Sequence, residues 1–554
     1  MSSLNLKKLT RFSSRDGPIV LIIMDGIGIG KEDNNNAFYL ANTPFLDKLK
    51  QDCMKMNLYT ELKAHGTAVG LPSDEEMGNS EVGHNAFGAG YVFKQRALLA
   101  KEAIESKTLF KSHKWLKLIN YLNENSRTLH FIGLLSDGYV HSHISHLLGM
   151  LYELLNSNIK KVRIHTLFDG RDVPPQSATL YIEELERVLN NITNAGEFDY
   201  KIASGGGRMR VTMDRYNSDW NVVRRGWEAH VCGIPERLPG YKGYFFTARE
   251  AINQARIIEP DSTDQYLPSF VVVNESQFPI GKIEDGDAVI YFNFRGDRAI
   301  QISRAFDEEN FSDFEKKCDP KVQYYGLLQY DNKLMIPKNY FIDPPRIFNT
   351  ISDYLSAEGI KQFAIAETHK FGHISYFYKG NRDISIPGED CVEVKSDPSE
   401  TIRDHPEMKA YEVKEQLEKA ILSGNYKFLR VNFANADMVG HTGDINAAII
   451  AAETVDKCIK EIMEIVNGLG GITIITADHG NIDEMEQSKT AHTLNPVMFA
   501  IADSGYYDMY HVTNKYIINE NLQEPALGNV AATILNLLGY EKPEGYLDSL
   551  IKFI

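Results

Sequence analysis

Three short segments in the C-terminal half pair carboxylates with imidazoles. Asp437-Met-Val-Gly-His441 sets the two groups four residues apart, on one face if the segment turns helically. Asp478-His479 directly follows an apolar run, and His492 lies in Ala491-His-Thr-Leu-Asn-Pro496. Carboxylate oxygens suit hard divalent ions such as Mg²⁺ and Mn²⁺, while imidazole suits Mn²⁺ and Zn²⁺. With Asp25 added from the N-terminal region, these groups suffice for two adjacent metal sites. A nucleophile is at hand in Met77-Gly-Asn-Ser80-Glu-Val-Gly-His84. Taken alone, this octapeptide reads as a flexible loop, and its serine is a poor nucleophile at neutral pH. Beside two cations, which lower the pKa of a bound hydroxyl, it points to covalent phosphoryl transfer.

A second set of residues suits an anion. Arg171 sits in Asp169-Gly-Arg-Asp172, Arg208 and Arg210 follow Gly205-Gly-Gly207, then come Arg215 and Arg295-Gly-Asp-Arg298. Planar guanidiniums bind carboxylate or phosphate through two hydrogen bonds at once. His141 and His143 add hydrogen-bonding or acid–base capacity. The glycine-rich Asp25-Gly-Ile-Gly-Ile-Gly30 is not a nucleotide motif: position 31 is Lys where a dinucleotide fingerprint needs its third glycine, and Lys31 is followed by Glu32 rather than Ser or Thr. Its glycines let the backbone turn sharply beside Asp25.

These residues need a scaffold that brings distant positions together. Ile19–Met24, Leu129–Leu135, Val162–Phe168, Ala288–Asn293, Leu429–Phe433 and Ile472–Ile475 read as buried strands, near-continuous in aliphatic residues, as in a parallel sheet covered on both faces. Between the last two, Ile445, Ala448, Ile449, Ala452, Val455, Ile459, Ile462 and Val466 recur at helical spacing, with Gly468 as the stop. Strand, amphipathic helix, strand gives an α/β class. Each strand ends in chemically able residues, and open α/β sheets bind ligands beyond the carboxyl ends of their strands.

The whole-chain properties narrow the function. The 554 residues are 43% hydrophobic and 24% charged, an ordinary globular balance that excludes disordered and fibrous classes. A net charge of −16 argues against a general nucleic-acid or anionic-membrane surface, and no run is apolar enough for a membrane helix. The N-terminal residues lack the apolar core of a secretory signal. Five scattered cysteines without a C-x-x-C pair read as free thiols, so a cytoplasmic protein is expected.

In this order, the segments resemble a known family. Ile23-Met-Asp-Gly-Ile-Gly28, Met77–His84, Leu135-Ser-Asp-Gly-Tyr-Val-His-Ser-His143, Asp169–Asp172, Phe292-Asn-Phe-Arg-Gly-Asp-Arg298, Ala366-Glu-Thr-His-Lys370, Asn435–His441, Thr476-Ala-Asp-His-Gly480 and Ala491-His-Thr493 are similar to the motifs of the cofactor-independent (2,3-bisphosphoglycerate-independent) phosphoglycerate mutases, alkaline-phosphatase-like metalloenzymes. The resemblance implies two α/β domains with largely parallel sheets: a phosphatase-like one over 1–94 and 344–554, and a phosphotransferase domain inserted over 95–343. It implies one metal site from Asp437, His441 and His492 and another from Asp25, Ser80, Asp478 and His479, filled by Mn²⁺, with Mg²⁺ or Co²⁺ also fitting. Ser80 would be the phosphorylated nucleophile and Lys370 would neutralise the moving phosphoryl group. His141, Arg171, Asp172, Arg208, Arg215, Arg295 and Arg298 would hold the substrate. The implied reaction interconverts 3-phosphoglycerate and 2-phosphoglycerate, in a monomer with a small-molecule substrate and neither nucleic acid nor membrane as partner. A metal-dependent phosphatase or phosphopentomutase of the same superfamily is the second reading, and a non-enzymatic anion-binding module the third. The stretch Gly205–Arg215 resembles the longer plant and trypanosomatid form of its loop, so Arg210 competes with Arg208 for the substrate role.

Overall fold

Ile19–Met24 is a strand buried along its whole length, paired in parallel with Phe428–Phe433 on one side and Ile472–Thr476 on the other. Flanked by two neighbours and covered on both faces, it has no polar side to present, hence its unbroken aliphatic sequence. The computed structural model describes residues 4–215, 217–331, 334–345, 347–398, 401–486, 491–506 and 516–554. The chain divides into two compact α/β units, a discontinuous one of Met1–Gln95 and Arg346–Ile554 and a continuous one of Arg96–Pro345.

In the discontinuous unit seven strands run in the order Glu389–Val394, Gln362–Glu367, Phe428–Phe433, Ile19–Met24, Ile472–Thr476, Val497–Asp503, Tyr59–Leu62. The first five are parallel and the last two attach antiparallel. The helix Ile445–Gly468 covers the sheet with Ala448, Ala452, Val455, Ile459, Ile462 and Val466 buried, and the Asp444 carboxylate caps its start. The expected helix is present, but Gly468 is its last helical residue rather than the stop beyond it, and the glycine in the left-handed region is Gly470 at φ +68°.

The continuous unit has eight strands, in the order Tyr340–Ile342, Gln323–Leu328, Ala288–Tyr291, Leu129–Leu134, Lys161–Phe168, Asp199–Gly207, Phe270–Val272, Tyr244–Phe245. Every pairing is parallel except that of Asp199–Gly207 with Phe270–Val272. In each sheet, neighbouring parallel strands end on the same edge, so the residues that follow them gather there.

Two sequence expectations are corrected. Cys232 and Cys318 form a disulfide across 86 residues, with Cα atoms 5.8 Å apart, a separation that suits the bond. Spacing in the sequence does not reveal a pair brought together by the fold, and only Cys53, Cys391 and Cys458 remain as thiols. The octapeptide around Ser80 is loop only over 77–79: Ser80 opens the helix Ser80–Ala89, whose start is capped by the Asn79 side chain accepting from Val82 N–H. Among the described residues, no helix is long and apolar enough to cross a membrane.

Candidate active site

Asp25, Lys370, Asp437 and Asp478 follow the ends of four neighbouring parallel strands of the discontinuous unit, and the start of the Ser80 helix meets them. Lys370 Nζ donates to Ser80 Oγ at 2.6 Å, to Asp25 Oδ1 at 2.7 Å and to Asp437 Oδ2 at 2.6 Å. Ser80 Oγ also lies 3.0 Å from His479 Nε2 and 3.3 Å from Asp25 Oδ1. Burial works against the Lys370 ammonium, but Asp25 and Asp437 outweigh it and hold the group charged, above the usual lysine range. Burial, and then the nearby Asp478 carboxylate, push the Asp25 carboxyl up to about 6.

The expected ligand residues fall into two groups. Asp437, His441 and His492 bring one donor atom each to within 4.8 Å of the others, and Asp25, Asp478 and His479 do the same. His441 Nε2 and His492 Nε2 lie 3.3 and 3.2 Å from Asp437 Oδ1. Neither oxygen of the fully buried Asp478 carboxylate accepts a hydrogen bond; His84 Nδ1, 3.3 Å away, donates instead to the Ser80 carbonyl at 2.8 Å. A buried carboxylate without donors is costly unless a cation meets it. The donor sets and this unsatisfied carboxylate fit divalent ions.

Close backbone approach makes the cluster compact. Gly26, at φ +82°, leaves no room for a Cβ, which would stand 2.7 Å from Asp437 Cα. On the Ser80 helix, a Cβ at Gly83 would stand 2.7 Å from Asp478 Cβ. Gly83→Ala is therefore expected to destabilise the protein by about 1–3 kcal/mol through overpacking, read as a lower thermal midpoint. An unchanged midpoint would show that the helix shifts freely away from Asp478.

The arginines and acids of the continuous unit form a second cluster, again beyond strand ends. The fully buried Arg208 donates to Asp169 Oδ1 at 2.7 Å and also to Asp172. Asp297 has Arg295 Nε at 3.2 Å, His141 Nδ1 at 3.6 Å and Arg215 at 3.8 Å. Arg171 adds its charge beside Arg208 and Asp172. Arg298 donates to the Met213 carbonyl at 2.6 Å. Burial, followed by the charges of Arg215 and Arg208, pushes the Arg298 guanidinium down to about 9; burial and Arg208 hold His141 neutral, well below its usual range. Five guanidiniums here meet three carboxylates, an excess that suits a small multiply charged anion. Arg210 stands apart, its fork taken by Glu236 at 2.8 and 3.0 Å. His143 is turned to Ser145.

Residues 17–542 match the family model of the metalloenzyme superfamily. A probable 2,3-bisphosphoglycerate-independent phosphoglycerate mutase of Leptospira interrogans is 42% identical over 99% of this chain and 100% of its own length. The 2,3-bisphosphoglycerate-independent phosphoglycerate mutase of Trypanosoma brucei brucei is 43% identical, over 96% of this chain and 97% of its own. The chain belongs to this mutase family. A crystal structure of Leishmania mexicana phosphoglycerate mutase at low cobalt concentration superimposes with a TM-score of 0.87 at 42% identity, covering 99% of this chain and all of that one. The chain is thus a metal-binding isomerase with the α/β fold of that enzyme.

Several residues of these clusters escape a motif reading of the family. Asn432 Nδ2 donates to Asp25 Oδ2 at 2.7 Å and to His84 Nε2 at 3.1 Å, joining the first strand to the Ser80 helix. Asn481 Nδ2 donates to Asp437 Oδ1 at 2.9 Å. Asp483 accepts from Gly28 N–H, Thr493 and Asn495, tying the turn after Asp25 to the segment carrying His492. A signal for Asn432 exists in the sequence: it is a polar residue inside the aliphatic run Leu429–Phe433, and buried polar residues need partners. Asp297 lies within the quoted Arg295–Arg298 segment, where its neighbours' charge overshadows it.

Proposed function

We propose that this chain interconverts 3-phosphoglycerate and 2-phosphoglycerate without a bisphosphoglycerate cofactor, through a phosphoserine on Ser80. The observation that carries the reading is the position of Ser80 Oγ, held between the Lys370 ammonium and His479 Nε2 at 2.6 and 3.0 Å, among two metal-competent donor sets. Divalent ions held by Asp437, His441 and His492 and by Asp25, Ser80, Asp478 and His479 supply Lewis-acid stabilisation of the phosphoryl oxygens and lower the serine hydroxyl's pKa.

The chain's own residues do the rest. Ser80 Oγ loses its proton and forms a bond to phosphorus as the substrate's C3–O–P bond breaks on the oxygen–phosphorus side; the departing glycerate oxygen gains a proton. Ser80 begins a ten-residue helix, whose N-terminal field favours the negative charge it then carries. Lys370, kept charged by its acidic neighbours, balances the moving phosphoryl group. The C2 hydroxyl of the retained glycerate then takes the group back, which frees Ser80. Arg171, Arg208, Arg215, Arg295, Arg298 and His141 hold the carboxylate and phosphate of the glycerate, with Asp172 orienting Arg208.

Purified protein is expected to convert 3-phosphoglycerate in an enolase-coupled assay without bisphosphoglycerate; free phosphate as the sole product would instead favour a phosphatase. Mutase and phosphatase part at the second transfer, to glycerate or to water. Each charge-assisted contact is worth roughly 1.5–3 kcal/mol, about ten- to a hundred-fold in retention. Arg171→Ala and Arg295→Ala are thus expected to lower isomerisation more than phosphate release. An unchanged ratio of free phosphate to 2-phosphoglycerate in both variants would place glycerate retention elsewhere.

A further inference from the structure

Across three adjacent strands of the continuous unit and the helix Trp220–His230, three fully buried histidines form an unbroken hydrogen-bonded line. His130 Nε2 lies 3.2 Å from Asp287 Oδ2, and His130 Nδ1 lies 3.0 Å from His165 Nε2. His165 Nδ1 is 2.7 Å from Ser204 Oγ, which is 2.7 Å from His230 Nδ1, and His230 Nε2 is 3.0 Å from Thr212 Oγ1. All six ring nitrogens are engaged, so none is left to ligate a metal. Burial keeps the three imidazoles neutral, His230 being pushed down to about 3.

A neutral imidazole has one donor and one acceptor, and this makes the line directional. The Asp287 carboxylate can only accept, so His130 donates to it from Nε2. His130 Nδ1 then accepts from His165 Nε2, and His165 Nδ1 accepts the Ser204 hydroxyl. The Ser204 oxygen accepts from His230 Nδ1, and His230 Nε2 accepts the Thr212 hydroxyl. One charge at the far end thereby sets every proton as far as Thr212.

Thr212 is a β-branched residue at φ +71°, a backbone region such residues seldom occupy. Its hydroxyl packs against Gly226 so closely that a Cβ there would stand 1.9 Å from Oγ1, and its N–H donates to the Val222 carbonyl at 2.8 Å. It lies in the segment that carries Arg208 and Arg215, and the next residue, Met213, offers the carbonyl to which Arg298 donates.

We propose that the Asp287–His130–His165–Ser204–His230–Thr212 line is a positioning device that clamps the Thr212 turn and so sets where Arg208, Arg215 and Arg298 meet the anionic substrate. This rests on the proposed role of those arginines in holding phosphoglycerate. All six residues are buried, so the line acts through the arginines rather than on the substrate itself.

The full-length protein tests this in two ways. First, ¹⁵N-histidine NMR of the unmodified protein should show Nε2–H tautomers for His130 and His165 and Nδ1–H for His230; an imidazolium or the opposite tautomer at any of them overturns the line. In Asp287→Asn a carboxamide N–H can face His130, and the same spectrum should show the tautomers reversed. Second, Thr212→Val keeps the branched shape but removes the donated proton. Its KM for 3-phosphoglycerate is expected to rise about tenfold with kcat changed by less than about twofold, and Thr212→Ser, which keeps the hydroxyl, should match the parent. An active parent with Thr212→Val at the parental KM overturns the positioning role alone. A parent without isomerase activity overturns the proposed function and this inference with it.

Discussion

Ser80→Ala leaves the protein folded and lowers turnover by several orders of magnitude. The side chain is almost wholly buried, but losing one hydroxyl at the start of a helix leaves the Asn79 cap and the rest of Ser80–Ala89 intact. Lys370, His479 and Asp25 each lose one contact, but Lys370 and His479 keep carboxylates close by and Asp25 keeps Lys370 and Asn432. Chemistry fares differently, because without Oγ the first bond to phosphorus has no acceptor. Bisphosphoglycerate should not rescue the variant, since alanine at position 80 has no oxygen to carry a phosphoryl group. The measurement is kcat with 3-phosphoglycerate. A variant that retained more than about a tenth of the parental value, a barrier change of only ~1.4 kcal/mol, would remove Ser80 from the nucleophile role.

Metal removal is expected to abolish activity and to destabilise the protein together. Asp25, Asp437 and Asp478 are all fully or almost fully buried, with Lys370 as the ammonium reaching the first two. Each ion that binds only the folded chain adds stability by mass action, about 2.7 kcal/mol at a hundredfold excess over Kd. Exhaustive chelation should thus lower the thermal midpoint as well as turnover, with Mn²⁺ restoring both. Because imidazole must be neutral to ligate, the restored activity should need more Mn²⁺ at lower pH. Full turnover in protein shown metal-free by elemental analysis would refute the two-metal reading.

The cores of both sheets are legible in the sequence because buried parallel strands must be apolar on both faces: Ile19–Met24 is predicted to the residue, and Leu429–Phe433 and Ile472–Ile475 each fall one residue short of the strand formed. Asp199–Gly207 escapes that pattern, since its second half, Ser204-Gly-Gly-Gly207, carries no apolar side chains. It is a strand because its glycines admit close neighbours, a Cβ at Gly205 standing 2.6 Å from the Thr166 carbonyl oxygen.

The sequence alone determined the α/β class, the long helix after Asp444 and the linear segments that mark the family, all set by local pattern or contiguous residues. Tertiary structure alone decided which of those segments meet. Lys370 and Asp25 are 345 positions apart, and no periodicity relates them; parallel strands that end on one edge bring them together. The same holds for Asn432 between Asp25 and His84, for the acids that divide the arginines, for the Cys232–Cys318 bond, and for three histidines drawn from separate elements into one line. A single buried polar residue shows in the sequence only its need for a partner. Which partner it finds depends on strand order and register, and those are properties of the folded chain.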